Sequence, residues 1–295
     1  MDGVNQSTTQ YRTYELIDRS GSVKVCIVPE RGGMVTSFSL DGEEYLYLDE
    51  QTFYDRKTNV RGGIPILFPI CGTLTNGEYI WNGHRYRLSG HGFARNLPWE
   101  VFNSGTREDG AFLTLRLEST SETEKVYPFQ FELIFTYILK GKRLRIEQEY
   151  RNHSDVVMPF YAGLHPYFKI GDKRRLEFDL EASLFLDYAD GQIKPYTGFL
   201  DLTNDSKAKL FLNHKKNALS FTDPVLKRKV QYEYSPVFKY PVLWTEQGKE
   251  YLCVELFMAK MDAFNTREDL VLVNPHNKVE VSFALTVAKT DEKNS

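Results

Sequence analysis

Cysteine is scarce in this 295-residue sequence: Cys26, Cys71 and Cys253 are odd in number, far apart and never spaced C-x-x-C. That excludes a disulfide framework and a zinc ribbon, and fits a reducing compartment. Long apolar runs are also missing. No stretch approaches the ~20 apolar residues that span a bilayer, and residues 1–12 are polar, without the hydrophobic centre of a signal peptide. A cytoplasmic protein with no membrane partner is expected. Neither sign of charge dominates, with 37 Lys and Arg against 40 Asp and Glu. No strong field is therefore present to recruit nucleic acid, and a small neutral or singly charged ligand is the expected partner. The phosphate loop G-x-x-x-x-G-K-[ST], the G-x-S-x-G elbow, H-E-x-x-H and the EF-hand loop are all absent, which removes the commonest routes to nucleotide hydrolysis and zinc proteolysis.

What the sequence has in quantity is alternation. β-Branched and aromatic residues alternate with polar ones at 22–28, 34–40 and 44–48, and again at 111–118, 129–139 and 143–152. The pattern resumes at 218–222, 229–234, 240–245, 251–257 and 278–288, while 171–215 is more charged and reads as peripheral strands and a loop. Asn82-Gly83, between 78–81 and 84–88, predicts a hairpin closed by a type I′ turn. Residues 265–269 read as a loop, and no long amphipathic helix or repeat is evident. The expected fold is all-β, a sandwich or barrel of some twenty short strands in a single domain over 21–290, preceded by an N-terminal arm over 1–20.

Three stretches gather groups that could do chemistry. Arg61-Gly62-Gly63 and Gly90-His91-Gly92-Phe93-Ala94-Arg95 set cations and an imidazole among glycines, where a backbone can approach a ligand closely; exposed glycine turns are the alternative. Residues 156–170 are apolar and aromatic, His165 is the only ionisable group before Lys169 besides the tyrosines, and Pro166 pushes it toward extended geometry. Tyr161, Gly163 and His165 would then share a face, with Gly163 leaving open space beside the ring. A core histidine bonded to backbone is the alternative. Glu255 is the one charge in 251–257 and shares a face with Tyr251, Cys253 and Phe257. An unpaired buried carboxylate costs several kcal/mol, so that face either opens on a cavity or supplies a partner. One acid and one carboxylate base suffice to move two protons at once, with a bell-shaped pH profile whose alkaline limb belongs to the imidazole.

The segments RGGIPILFP, HGFAR, LHPYF and YLCVE, in this order and at these separations, resemble the galactose mutarotase-like family, the aldose 1-epimerases, and are closest to its hexose-6-phosphate mutarotase branch. The resemblance spans roughly residues 23–286 and differs from that branch at Leu256, where proline is usual, and in the following FMAKMDAF. It implies a β-supersandwich, no metal or organic cofactor, and a sugar or sugar phosphate bound in a cleft. It further implies His165 as general acid, Glu255 as general base, His91 as the second histidine, and Arg61 and Arg95 as grips on the sugar or its phosphate. An aspartate that holds sugar hydroxyls is also implied, and Asp201 and Asp205 lie in the corresponding region. The activity so implied is interconversion of α and β anomers. A non-catalytic carbohydrate-binding or sensing protein would need the arginines and aromatics but not the paired acid and base, and glycoside hydrolysis would need a second carboxyl group.

Overall fold

The computed structural model describes residues 2–203 and 207–290. Most of the chain is strand, as the alternation requires, and every pair of neighbouring strands in its three main sheets is antiparallel. One eight-stranded sheet runs in the order Glu177–Asp179, Ala218–Asp223, Arg228–Tyr234, Lys278–Lys289, Arg143–Asn152, Phe131–Lys140, Gly110–Glu118, Glu100–Arg107. A second sheet runs Gln192–Pro195, Leu184–Asp187, Lys209–Leu212, Tyr240–Trp244, Tyr251–Phe257, Gly163–Leu164, Ile66–Leu67, with Tyr167–Lys169 also paired to Tyr251–Phe257. The two sheets face one another. Phe168 from the second packs on Phe221 and Tyr232 of the first, and the Tyr232 hydroxyl donates to the Val254 carbonyl at 2.9 Å.

Alternation along Tyr251–Phe257 decides what faces what. Leu252, Val254 and Leu256 join the main core between the sheets, whereas Tyr251 and Cys253 pack on the opposite face with Tyr167, Tyr47 and Trp244. Burying each large side chain stabilises the fold by roughly 1.5–3 kcal/mol, so a one-residue slip that exchanged the two faces would be strongly disfavoured. Glu255 therefore has to point away from the core.

The N-terminal arm expected over 1–20 is instead part of the fold. Gly3–Thr8 and Arg12–Ile17 pair as the first strands of a five-stranded sheet with Val23–Val28, Met34–Leu40 and Glu43–Glu44. Tyr14 and Leu16 are buried in the core; they are the apolar half of a short alternation whose polar half made the segment look detached. Two further expectations change. The 44–48 strand shortens to Glu43–Glu44 followed by isolated bridges at Leu46 and Leu48, and the 265–269 loop begins as a helical turn, Ala263–Thr266. The hairpin Glu78–Trp81/His84–Arg87 forms as expected, with φ of 48° at Asn82 and 80° at Gly83. No helix among the described residues is long and apolar enough to cross a membrane.

Candidate active site

A cavity of about 400 Å³ opens on the outward face of the second sheet, a size that suits a small molecule. Arg61, His91, His165, Trp244 and Glu255 line it, together with Thr73, Tyr188, Lys207, Ala208, Phe257 and Met261. Chain segments far apart in sequence converge here because Gly163–Leu164 and Tyr167–Lys169 both pair with Tyr251–Phe257. His165, in the two-residue break between those two short strands, is thereby laid beside Glu255.

The contact is direct: His165 Nε2 lies 3.3 Å from Glu255 Oε2. That is slightly longer than a typical N–H···O bond, as acid–base contacts in free enzymes often are. The two residues are 5% and 2% exposed, so the sequence alternatives of cavity or partner are both realised. Tyr167 stacks on the imidazole at 4.7 Å between centroids, and Trp244 meets it edge-on at 5.8 Å. His165 Nδ1 has no hydrogen-bond partner. Burial pushes the Glu255 carboxyl well above the usual carboxylate range, with the charge of Arg95 pulling it back. Burial, then the neighbouring His91 and Arg95, hold His165 well below the usual imidazole range. Both shifts disfavour the charged form of each group; a neutral imidazole beside a protonated carboxyl holds the same protons as an imidazolium beside a carboxylate.

The reason for glycine at 163 is not the expected open space. A Cβ there would lie 2.7 Å from the Leu256 carbonyl oxygen, 3.0 Å from Cys71 Cβ and 3.2 Å from the Phe257 ring. Glycine is needed so that two strands can approach, and that approach brings His165 to Glu255.

His91 is fixed by a two-way clamp. Its backbone N–H donates to the Gly72 carbonyl at 2.7 Å, and the Gly72 N–H donates back to His91 Nδ1 at 3.0 Å. Both His91 and Gly92 have left-handed backbone, with φ of 66° and 68°, and a Cβ at Gly92 would lie 2.1 Å from the Phe68 carbonyl oxygen. Burial and the charges of Arg95 and Arg61 bring the His91 pKa down to about 3. The ring is consequently neutral, its Nδ1 lone pair is used, and its proton sits on Nε2 as a donor.

The two arginines part company. Arg61 lines the cavity mouth with its guanidinium 5.3 Å from the Trp244 ring centroid and 3.5 Å from Glu246. Its loop is held by Arg31, which donates to the carbonyls of Thr52, Asp55 and Thr58 at 3.0, 3.3 and 3.3 Å. Arg95 does not line the cavity. Its Nη2 donates to the Gly90 carbonyl at 2.8 Å, bracing the turn that carries His91. Burial lowers its pKa to about 10, so it stays charged and acts on the site through its field.

Asp201 is not brought to the cavity. Its carboxylate lies at an exposed turn, accepting from the Thr203 backbone N–H at 2.9 Å and hydroxyl at 2.5 Å. Asp205 lies outside the described residues. Sequence reasoning missed Trp244, Tyr188, Lys207, Thr73 and Met261. Trp244 could have been found, since pairing of Trp244 with Cys253 places it beside Glu255 on the same sheet. The others arrive on loops. Among the described residues no cluster of three or more His, Cys, Asp or Glu side chains is placed to hold a metal ion.

Two facing antiparallel sheets with a cavity on the outer face of one define the galactose mutarotase-like fold. A galactose mutarotase related enzyme from Lactobacillus acidophilus superimposes with a TM-score of 0.76 over 99% of both chains at 24% identity. The aldose 1-epimerase family model matches residues 13–286, and the chain belongs to that family. It is 38% identical to the Slr1438 protein from Synechocystis sp. PCC 6803, with a TM-score of 0.92 over 98% of this chain and 100% of that one. A protein of Escherichia coli K12 named "Putative glucose-6-phosphate 1-epimerase" is 28% identical over 199 residues. That match spans 63% of each chain.

Proposed function

We propose that this protein interconverts the α and β anomers of an aldohexose or hexose 6-phosphate by opening and reclosing the sugar ring at C1. The observation that carries this reading is the 3.3 Å approach of His165 to Glu255 on the cavity wall. The anomeric hydroxyl and the ring oxygen are bonded to one carbon, so a base for the first and an acid for the second must stand side by side. A carboxyl and an imidazole in contact meet that demand. Glycoside hydrolysis instead needs two carboxyls flanking the bond, and Glu255 is the only carboxylate among the described residues that line the cavity.

The reacting form is an imidazolium beside a carboxylate, related to a neutral imidazole and a protonated carboxyl by passage of one proton across the contact. Glu255 then takes the proton from the anomeric hydroxyl, the oxygen's electron pair forms the aldehyde as the bond from C1 to the ring oxygen breaks, and His165 delivers its proton to that oxygen. Rotation about the C1–C2 bond presents the other face of the aldehyde. Closure returns both protons. His91, a neutral donor through Nε2, is suited to hold a sugar oxygen, and Arg61 at the mouth is suited to hold a phosphate. The E. coli relative's name supports the phosphorylated substrate.

Replacing Glu255 with glutamine keeps the shape and removes the base. A loss of ~10² or more in kcat is expected, with the circular dichroism spectrum unchanged. Mutarotation near the wild-type rate in Glu255→Gln would overturn the assignment. Wild-type protein that binds hexoses or their 6-phosphates without turning any over would instead be a carbohydrate-binding protein on this fold.

A further inference from the structure

Arg61 already has an anion. Its Nη2 lies 3.5 Å from Glu246 Oε1, with the guanidinium 5.3 Å from the Trp244 ring centroid. Trp244 lines the cavity, whereas Glu246 stands behind the arginine in the turn that follows the Tyr240–Trp244 strand. That turn is anchored: the Glu246 carbonyl accepts from Lys173 Nζ at 2.6 Å and from the Lys249 N–H at 3.3 Å. Both charged side chains keep solvent access, at 46% and 32% exposed. An ion pair so exposed is weak and exchanges readily, whereas a phosphate offers a guanidinium a doubly charged, bidentate partner.

We propose that Glu246 is a specificity-setting positioning residue: it occupies Arg61 until the phosphate of an incoming sugar displaces it, and so tempers the preference for phosphorylated over free sugars. This rests on the reading of Arg61 as the phosphate contact. Glu246 touches neither the reacting carbon nor the acid–base pair; it acts through Arg61. Removing its charge takes away the guanidinium's carboxylate partner, leaving its contact with Tyr167, and also removes a negative group that repels the phosphate.

The test compares wild type, Glu246→Gln and Glu246→Asp in anomerisation of glucose 6-phosphate and of glucose at low and high salt. Binding of inorganic phosphate, followed by the fluorescence of Trp244 beneath Arg61, is measured alongside. In Glu246→Gln the KM for glucose 6-phosphate and the Kd for phosphate should fall about two- to fivefold, with a smaller change in KM for glucose. The gain should shrink as salt rises, and Glu246→Asp, which retains the charge, should return toward wild type. An unchanged or raised KM and Kd in Glu246→Gln would overturn the proposal, the second result showing that Glu246 holds Arg61 in its binding pose. If phosphate binds neither wild type nor Glu246→Gln, the proposal falls together with the phosphate role of Arg61. Turnover of free glucose by the same preparation would still sustain the mutarotase reading.

Discussion

The wall of the cavity and its mouth follow different rules. His165 and Glu255 stand on paired strands, 5% and 2% exposed, while the side chains of Arg61 and Glu246 reach from loops and are 46% and 32% exposed. In the wall, burial displaces both titrations and little salt can penetrate; at the mouth, water and ions weaken each charge pair. On the proposed reading, proton transfer falls to the buried, strand-borne part and selection among sugars to the exposed, loop-borne part. It also predicts that damage to the wall appears in kcat and stability, and damage to the mouth in KM and salt dependence.

The largest expected effect breaks the wall twice. His165→Asn and Glu255→Gln should each lose ~10² or more in kcat, and the double variant should fall less than tenfold below the worse single one, because the residues act as a unit. Fully multiplied losses would mean independent roles. Next is Gly163→Ala. Its Cβ would sit 2.7 Å from the Leu256 carbonyl oxygen, and overpacking of this kind costs about 1–3 kcal/mol. A lowered urea midpoint checks it; a midpoint equal to wild type would show that the strands can separate without cost. Smaller still is Arg61→Ala, which should raise KM for glucose 6-phosphate about tenfold, less at high salt, with stability changed by about 0.5 kcal/mol or less. Equal losses for glucose and glucose 6-phosphate would remove the phosphate from this mouth.

How much of this was legible in the sequence follows the same division. Period-two alternation fixed the direction of Glu255, and Asn82-Gly83 fixed its hairpin, because both are local. Alternation was equally present in Tyr14 and Leu16, but the flanking polar residues hid it until pairing with Val23–Val28 buried them. Gly163 signalled something special at His165, yet the meaning of the glycine lay in Leu256 and Cys71, on strands and loops distant in the chain. The two arginines look alike in their glycine-rich settings. Only folding separates one at the mouth from one that braces Gly90. Asp201 shows the converse, an acidic residue in the right interval whose carboxylate closes its own turn through Thr203.

The pH dependence of kcat/KM in the wild type tests the shared-proton account most directly. The active pair holds one transferable proton. Gaining a second means protonating His165, which burial holds well below the ordinary imidazole range, so the acid limb lies below ~6.5. Losing the first empties the pair of its shared proton, and burial, which raises Glu255 well above the carboxylate range, moves that alkaline limb upward; the limb belongs to the pair and not to the imidazole alone. The account predicts no limb that titrates as a free imidazole near ~6.5 and is carried by His165 alone. An alkaline limb centred near ~6.5 that disappears in His165→Asn would contradict it.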